Sequence, residues 1–62
     1  MLFKDLPEGA IFQLQHRSEL YMKKHQQTSK YTFTNAVLMD GTKEVRAVGI
    51  GSHAQIQVIG GK

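Results

Sequence analysis

The stretch "YTFTNAVLMDGTKEVRAV", residues 31–48, decides the fold. Its first half is rich in threonine, aromatic and β-branched residues, the composition that fits a pleated and half-buried strand. Phe33, Asn35, Val37 and Met39 share one parity, and Thr34, Ala36 and Leu38 share the other. Both parities turn apolar towards the end, which predicts burial on two faces or a bulge. Asp40-Gly41 is the strongest turn signal in the chain, because a two-residue hairpin turn wants φ > 0 at both centres. A second strand follows, in which Val45 and Ala47 alternate with Glu44 and Arg46 until Val48 breaks the pattern. A β-hairpin therefore sits at the middle of the sequence.

Working outward, "IFQLQ" at 11–15 alternates with Phe12 and Leu14 on one side and Gln13 and Gln15 on the other. That period of two marks a half-buried strand. Upstream, "KDLPEGA" launches it. Pro7 fixes its own φ and drives Leu6 to an extended conformation, and Gly9 supplies a permissive turn position. Leu6 is expected to plug one end of the fold. After the polar "HRS", "ELYMKK" at 19–24 resumes the alternation, with Leu20 and Met22 expected inward and Tyr21 and Lys23 outward. "HQQTSK" at 25–30 reads as a loop. A helix over 18–30 is disfavoured because Leu20, Tyr21 and Met22 are consecutive and nothing apolar recurs at 24 or 25. "GIGS" at 49–52 reads as a connection. "HAQIQVI" closes the set with Ala54, Ile56 and Val58 inward, and residues 60–62 read as a flexible tail.

Five short strands with turn signals between them predict one small all-β domain over residues 1–59, a five-stranded barrel or sandwich. Its expected core is Phe12, Leu14, Leu20, Met22, Phe33, Val37, Val45, Ile56 and Val58. Each contributes roughly 1.5–3 kcal/mol if fully buried. Sixty-two residues bury only about 60% of the surface their unfolded chain exposes, so the margin of stability is thin. Small size, together with the apolar Ile50 and Ile59, leaves monomer and homodimer both open. If the first and last strands are neighbours, Gln13, Gln15, Gln55 and Gln57 form one uncharged polar stripe, either solvent-facing or open to a partner strand.

The order of motifs carries a resemblance. Phe3, Asp5, Leu6, Gly9 and Phe12, then Tyr21 and Lys23, then Asn35, Ala36, Val37 and Gly41 follow the pattern F-x-D-L-x-x-G-x-x-F … Y-x-K … N-A-V … G. This is similar to a group of small SH3-like β-barrel proteins of tailed bacteriophages, over about two thirds of the chain. The resemblance implies a five-stranded SH3-like barrel and a phage accessory protein. The polar insert at 25–30 and the glycines at 49 and 51 depart from the pattern.

The chemistry is defined first by what is missing. There is no cysteine, so no disulfide and no thiolate, and the expected setting is reducing and cytoplasmic. No apolar run approaches the roughly 20 residues of a membrane span, and the N-terminus does not read as a signal peptide. Ser18, Ser29 and Ser52 sit in expected loops and three histidines are available. The adjacent Ser52 and His53 point to opposite faces if His53 is in a strand, so no enzyme is expected. His16, His25 and His53 have no metal-ligand spacing, and neither a metal nor another cofactor is expected. "GIGS" lacks the helix and lysine of a phosphate-binding loop.

What remains is charge. The net charge is +3, and its excess lies between His16 and Lys30, where Arg17, Lys23, Lys24 and Lys30 face one acid, Glu19. Tyr21 and Tyr31 are interleaved with these cations. Arg17, Tyr21, Lys23, Lys24, Lys30 and Tyr31 are therefore the candidate partner-binding residues. They suit an acidic protein surface or a single-stranded nucleic acid. A minor structural role in a virion is a further possibility, and an ordinary solvated face accounts for the same charges.

Overall fold

The computed structural model describes residues 1–60. Five antiparallel strands form one sheet: β1 (Ile11–Leu14), β2 (Leu20–Thr28), β3 (Phe33–Asp40), β4 (Lys43–Val48) and β5 (Ile56–Gly60). A single 3₁₀ turn, Phe3–Asp5, precedes them. The strand order is β4-β3-β2-β1-β5, so four strands run as a meander and the fifth returns to pair with the first. Among the described residues β4 and β5 share no ladder, and the sheet stays open. Gly60, expected to begin the tail, instead ends β5 opposite Ile11. Gly61 and Lys62 lie outside the described residues.

Local chemistry accounts for the joints. Asp40 pairs with Lys43, which leaves Gly41 and Thr42 as the two central residues of the β3–β4 turn. Only Gly41 has positive φ, at 64°, the position where a type II′ turn demands glycine. The β1–β2 turn is closed by Arg17 N–H donating to the Leu14 carbonyl at 3.1 Å, and it holds His16 at φ 66°. Gly9 carries the positive φ of the Pro7–Ala10 turn.

The first ladder decides what faces inward. Phe12, fully buried, stands opposite Tyr21, and residues directly opposite in an antiparallel pair share a face. Tyr21 is therefore an inward residue, 9% exposed. Its ring stacks on Phe12 with centroids 5.6 Å apart, and Phe3 meets Phe12 edge-on at 5.4 Å. This reverses the expected facing of β2: Leu20 and Met22 are only half-buried. A one-residue choice of register moves every side chain of a strand to the other face.

Around that aromatic trio the core gathers Leu6, Ala10, Ala36, Ile50 and Ile56. Leu6 is buried as expected. Six expected core residues are not buried: Leu14, Leu20 and Met22 are half-buried, and Phe33, Val45 and Val58 are each about half exposed. Val45 and Val58 lie on the two edge strands of an open sheet, where one side has no covering layer. Phe33 begins β3 beyond the reach of the core. Asn35, Ala36 and Val37 are buried in succession, so the middle of β3 is covered on both faces. Its end, where both parities turn apolar, is half-buried and carries a register shift against β4 between Leu38 and Met39. Ile50 is in the core, not on a dimerising surface. Its backbone N–H donates to Asn35 Oδ1 at 2.8 Å, and its carbonyl accepts from Asn35 Nδ2 at 2.9 Å.

Residues 25–28, expected in a loop, continue β2. Lys23 pairs with Ala36 and Gln27 with Thr34, so four steps on β2 span two on β3. Two extra residues in one strand bend it strongly. The distal halves of β2 and β3 thereby project as a hairpin arm.

Candidate functional site

The structure separates the six candidate residues. Tyr21 is enclosed by the stack described above. Lys23 is half-buried and directed inward: its Nζ donates to the Phe3 carbonyl at 2.9 Å and to the Leu6 carbonyl. The same ammonium lies 4.5 Å from the centre of the Phe3 ring, a cation–π distance. It therefore fastens the N-terminal turn to β2 and presents no free charge. The expected surface pair of Tyr21 beside Lys23 is replaced by two structural side chains, because the β1–β2 register turns both towards Phe3 and Phe12.

Lys24 lies on the other face and forms an ion pair with Glu44 of β4 at 2.8 Å. Both groups are well exposed, so the pair contributes at most about 1 kcal/mol and can exchange partners. Arg17 is exposed in the β1–β2 turn, at the opposite end of β2 from Lys30 and Tyr31.

Lys30 and Tyr31 stay together at the tip of the arm. The turn that carries them is locked at both ends. Ser29 N–H donates to the Thr32 carbonyl at 2.7 Å, and Ser29 Oγ accepts from Thr32 N–H at 3.1 Å. The two hydroxyls are also 2.9 Å apart. Tyr31 is 84% exposed, with the Lys30 ammonium 5.4 Å from its ring centre. Phe33, half exposed, follows at the base of the turn. Sequence reasoning placed Phe33 in the core and so missed it as a surface aromatic. The signal was its position at the start of a strand, before the doubled apolar pattern begins.

Beneath the arm lie two adjoining cavities of about 330 Å³ each. They share Gln26, Asn35 and Ser52 as walls, so they form one groove between β2 and the 50–53 turn. Phe33 and Ile50 line one end; Lys4, Glu8, Lys24 and His25 line the other. His25 Nδ1 lies 3.3 Å from Glu8 Oε2, with both side chains exposed.

The other candidates resolve simply. Gln13 faces Gln57, and Gln15 N–H donates to the Gln55 carbonyl, so strands one and five do assemble the glutamine stripe. Ser52 Oγ and His53 Nδ1 are 3.2 Å apart. Ser52 sits in the expected connection, and His53, expected to begin the last strand, falls in the same turn. Among the described residues no carboxylate hydrogen-bonds to His53, and no three of His, Asp and Glu converge as a metal would require. Among the same residues no helix is long and apolar enough to cross a membrane. No protein-family model matches the chain, and neither the curated proteins nor the solved structures yield a match.

Proposed function

We propose that the chain is a small non-enzymatic binding module, a partly open SH3-like barrel, that docks on an acidic protein surface through the tip of its β2–β3 arm. The barrel reading is supported by the return of β5 to β1 and by the sharp bend of β2, which starts to wrap the sheet around its core. The similarity to phage SH3-like proteins adds a role as an accessory protein working in the host cytoplasm.

One observation carries the docking site: a rigid turn holds the highly exposed Tyr31 with a cation beside it. A tyrosine fixed in advance loses little entropy on binding and offers a large amphipathic contact, the profile of an interface hot spot. Lys30 supplies the preference for an acidic partner. A single-stranded nucleic acid would need several cations along a track and successive stacking faces. Here Lys23 is engaged with carbonyls, Tyr21 is buried, and Arg17 lies at the far end of β2.

The test is capture of a stoichiometric partner from nuclease-treated host lysate, compared across variants. Tyr31→Ala and Lys30→Glu should each abolish it, while Arg17→Ala should retain it. Tight binding of short oligonucleotides with a steep salt dependence, unaffected by nuclease-resistant protein competitors, would replace this reading with the nucleic-acid one.

A further inference from the structure

We infer that the arm binds its partner by strand addition: an extended acidic peptide pairs with the free edge of β2 over residues 24–28. This rests on the reading of the arm as the docking element and states how it recognises its target.

The ladder geometry singles out that edge. Lys23 N–H donates to the Ala10 carbonyl and the Lys23 carbonyl accepts from Gly9 N–H, so both its backbone groups point to the β1 side. In an antiparallel strand these groups alternate from one side to the other. Gln27 has the parity of Lys23, and their partners Thr34 and Ala36 also share a parity. Gln27 therefore directs its N–H and carbonyl away from β3, to the side where β1 would lie. But β1 and the 9–10 segment reach only as far as Lys23. Among the described residues no strand pairs with that side of 24–28.

The β4 edge and the start of the β5 edge are protected, and this one is not. β4 carries Lys43, Glu44 and Arg46 and a bulge at Val45, which has no partner between Met39 and Leu38. Charges and bulges are how sheets deter strand addition. The start of β5 is covered by the N-terminal segment, through the Leu2–Gln55 bridge and the Ile56 N–H bond to the Met1 carbonyl. By contrast, the β2 edge past His25 reads Gln26, Gln27, Thr28, without charge or proline. It opens onto the groove described above, whose far wall is the N-terminal turn and Ser52.

Charge selects the occupant. Lys4 lines the proximal groove with Lys24, whose exposed ion pair with Glu44 can exchange for a peptide carboxylate, and with Lys23, against the acid Glu8. Lys30 stands beyond the distal end. A peptide lying along the edge meets cations at both ends, so acidic side chains on it are favoured. Backbone pairing supplies affinity in this mode, and the flanking side chains supply preference.

The probe is a ten-residue peptide of alternating threonine and glutamate, acetylated and amidated. It is compared with two versions N-methylated at alternate backbone amides, one for each register. The readouts are amide shifts and hydrogen exchange on the whole protein. The Gln27 amide should exchange freely in the free protein and become at least ten-fold more protected with the unmodified peptide. One of the N-methylated peptides should bind at least ten-fold more weakly, although its charge is identical. Gln27→Pro should lose binding while Gln27→Ala keeps it; the peptide comparison decides the matter if the proline variant does not fold. Shifts confined to Lys30–Phe33, with equal affinity for all three peptides, would overturn strand addition and leave the docking tip standing. No response to any peptide at millimolar concentration would overturn both. Protection of Gln27 that grows with protein concentration alone would assign the edge to a second copy and overturn the peptide proposal.

Discussion

The Lys23 ammonium donates to the Phe3 carbonyl at 2.9 Å while lying 4.5 Å over the Phe3 ring. One side chain thus satisfies the end of the 3₁₀ turn and presses its aromatic residue onto Phe12. The lysine looks functional in a list of surface charges, and its geometry makes it structural.

Lys23→Met tests that assignment. Methionine keeps the apolar stem but removes the ammonium from both carbonyls. The Phe3 carbonyl retains the Leu6 N–H as a donor, and the Leu6 carbonyl loses its side-chain donor. Bonds from charged donors contribute about 1.5–3 kcal/mol, so a loss of about 1–2 kcal/mol is expected for this half-buried group. Urea denaturation reads it directly, and the effect should persist at high salt because the tie is short-ranged. A stability unchanged from wild type, with loss of partner capture instead, would return Lys23 to the binding surface.

Tyr21 separates packing from recognition in the same way. Among the described residues its hydroxyl makes no hydrogen bond, and its ring stacks on Phe12. Tyr21→Phe should leave both stability and partner capture unchanged. Tyr21→Ala removes one member of a three-ring core at a cost of about 3–5 kcal/mol. That is comparable to the whole stability of a domain this size, so circular dichroism should show an unfolded chain.

These two residues also mark where the sequence stops being readable. The β1–β5 pairing enters only as a condition, whereas the strands, the Asp40-Gly41 turn and the burial of Leu6 all follow from local pattern. Each rests on period two or on turn chemistry within a few residues. The facing of β2 does not, because "LYMKKHQQT" offers no parity that is apolar throughout. Its register comes from Phe12, whose position opposite Tyr21 is a property of the pair. The arm at 25–28 was hidden for a related reason: a hairpin solvated on both faces has the composition of a loop. At the tip, Lys30 and Tyr31 were legible as charge and aromatic, but the Ser29–Thr32 lock that presents them was not.

Asn35 shows the same limit for a buried polar residue. Its amide holds both backbone groups of Ile50, fifteen residues away, and nothing in the local sequence announces that partner. Asn35→Ala leaves a buried N–H and a buried carbonyl unpaired, at about 1–3 kcal/mol each. Hydrogen exchange should show the Ile50 amide released first, ahead of the β2–β3 ladder. Asn35→Asp keeps the acceptor for Ile50 N–H but sets a buried carboxylate oxygen against the Ile50 carbonyl, so at neutral pH it should destabilise at least as much as alanine. Uniform loss of protection across all strands would show instead that the 49–52 connection has no independent anchorage.

The two glycines of that connection make an internal control for how it meets the arm. A Cβ on Gly49 would stand 2.8 Å from the Phe33 carbonyl oxygen and 3.3 Å from the Phe33 ring. The first is backbone, so either the connection or the base of β3 must shift. A Cβ on Gly51 would meet nothing within 4 Å. Gly49→Ala should therefore destabilise by about 1–3 kcal/mol, as overpacking does. Gly51→Ala should be neutral or stabilise by about 0.4–1 kcal/mol, through the smaller entropy of its unfolded chain. At about 4–8 °C per kcal/mol for a domain of this size, calorimetry separates the two readily. Because Phe33 lines the groove as well as contacting Gly49, Gly49→Ala should also weaken partner capture, whereas Gly51→Ala should not. Equal thermal shifts in the two variants would mean that the connection does not seat against Phe33, and the groove would lose its floor.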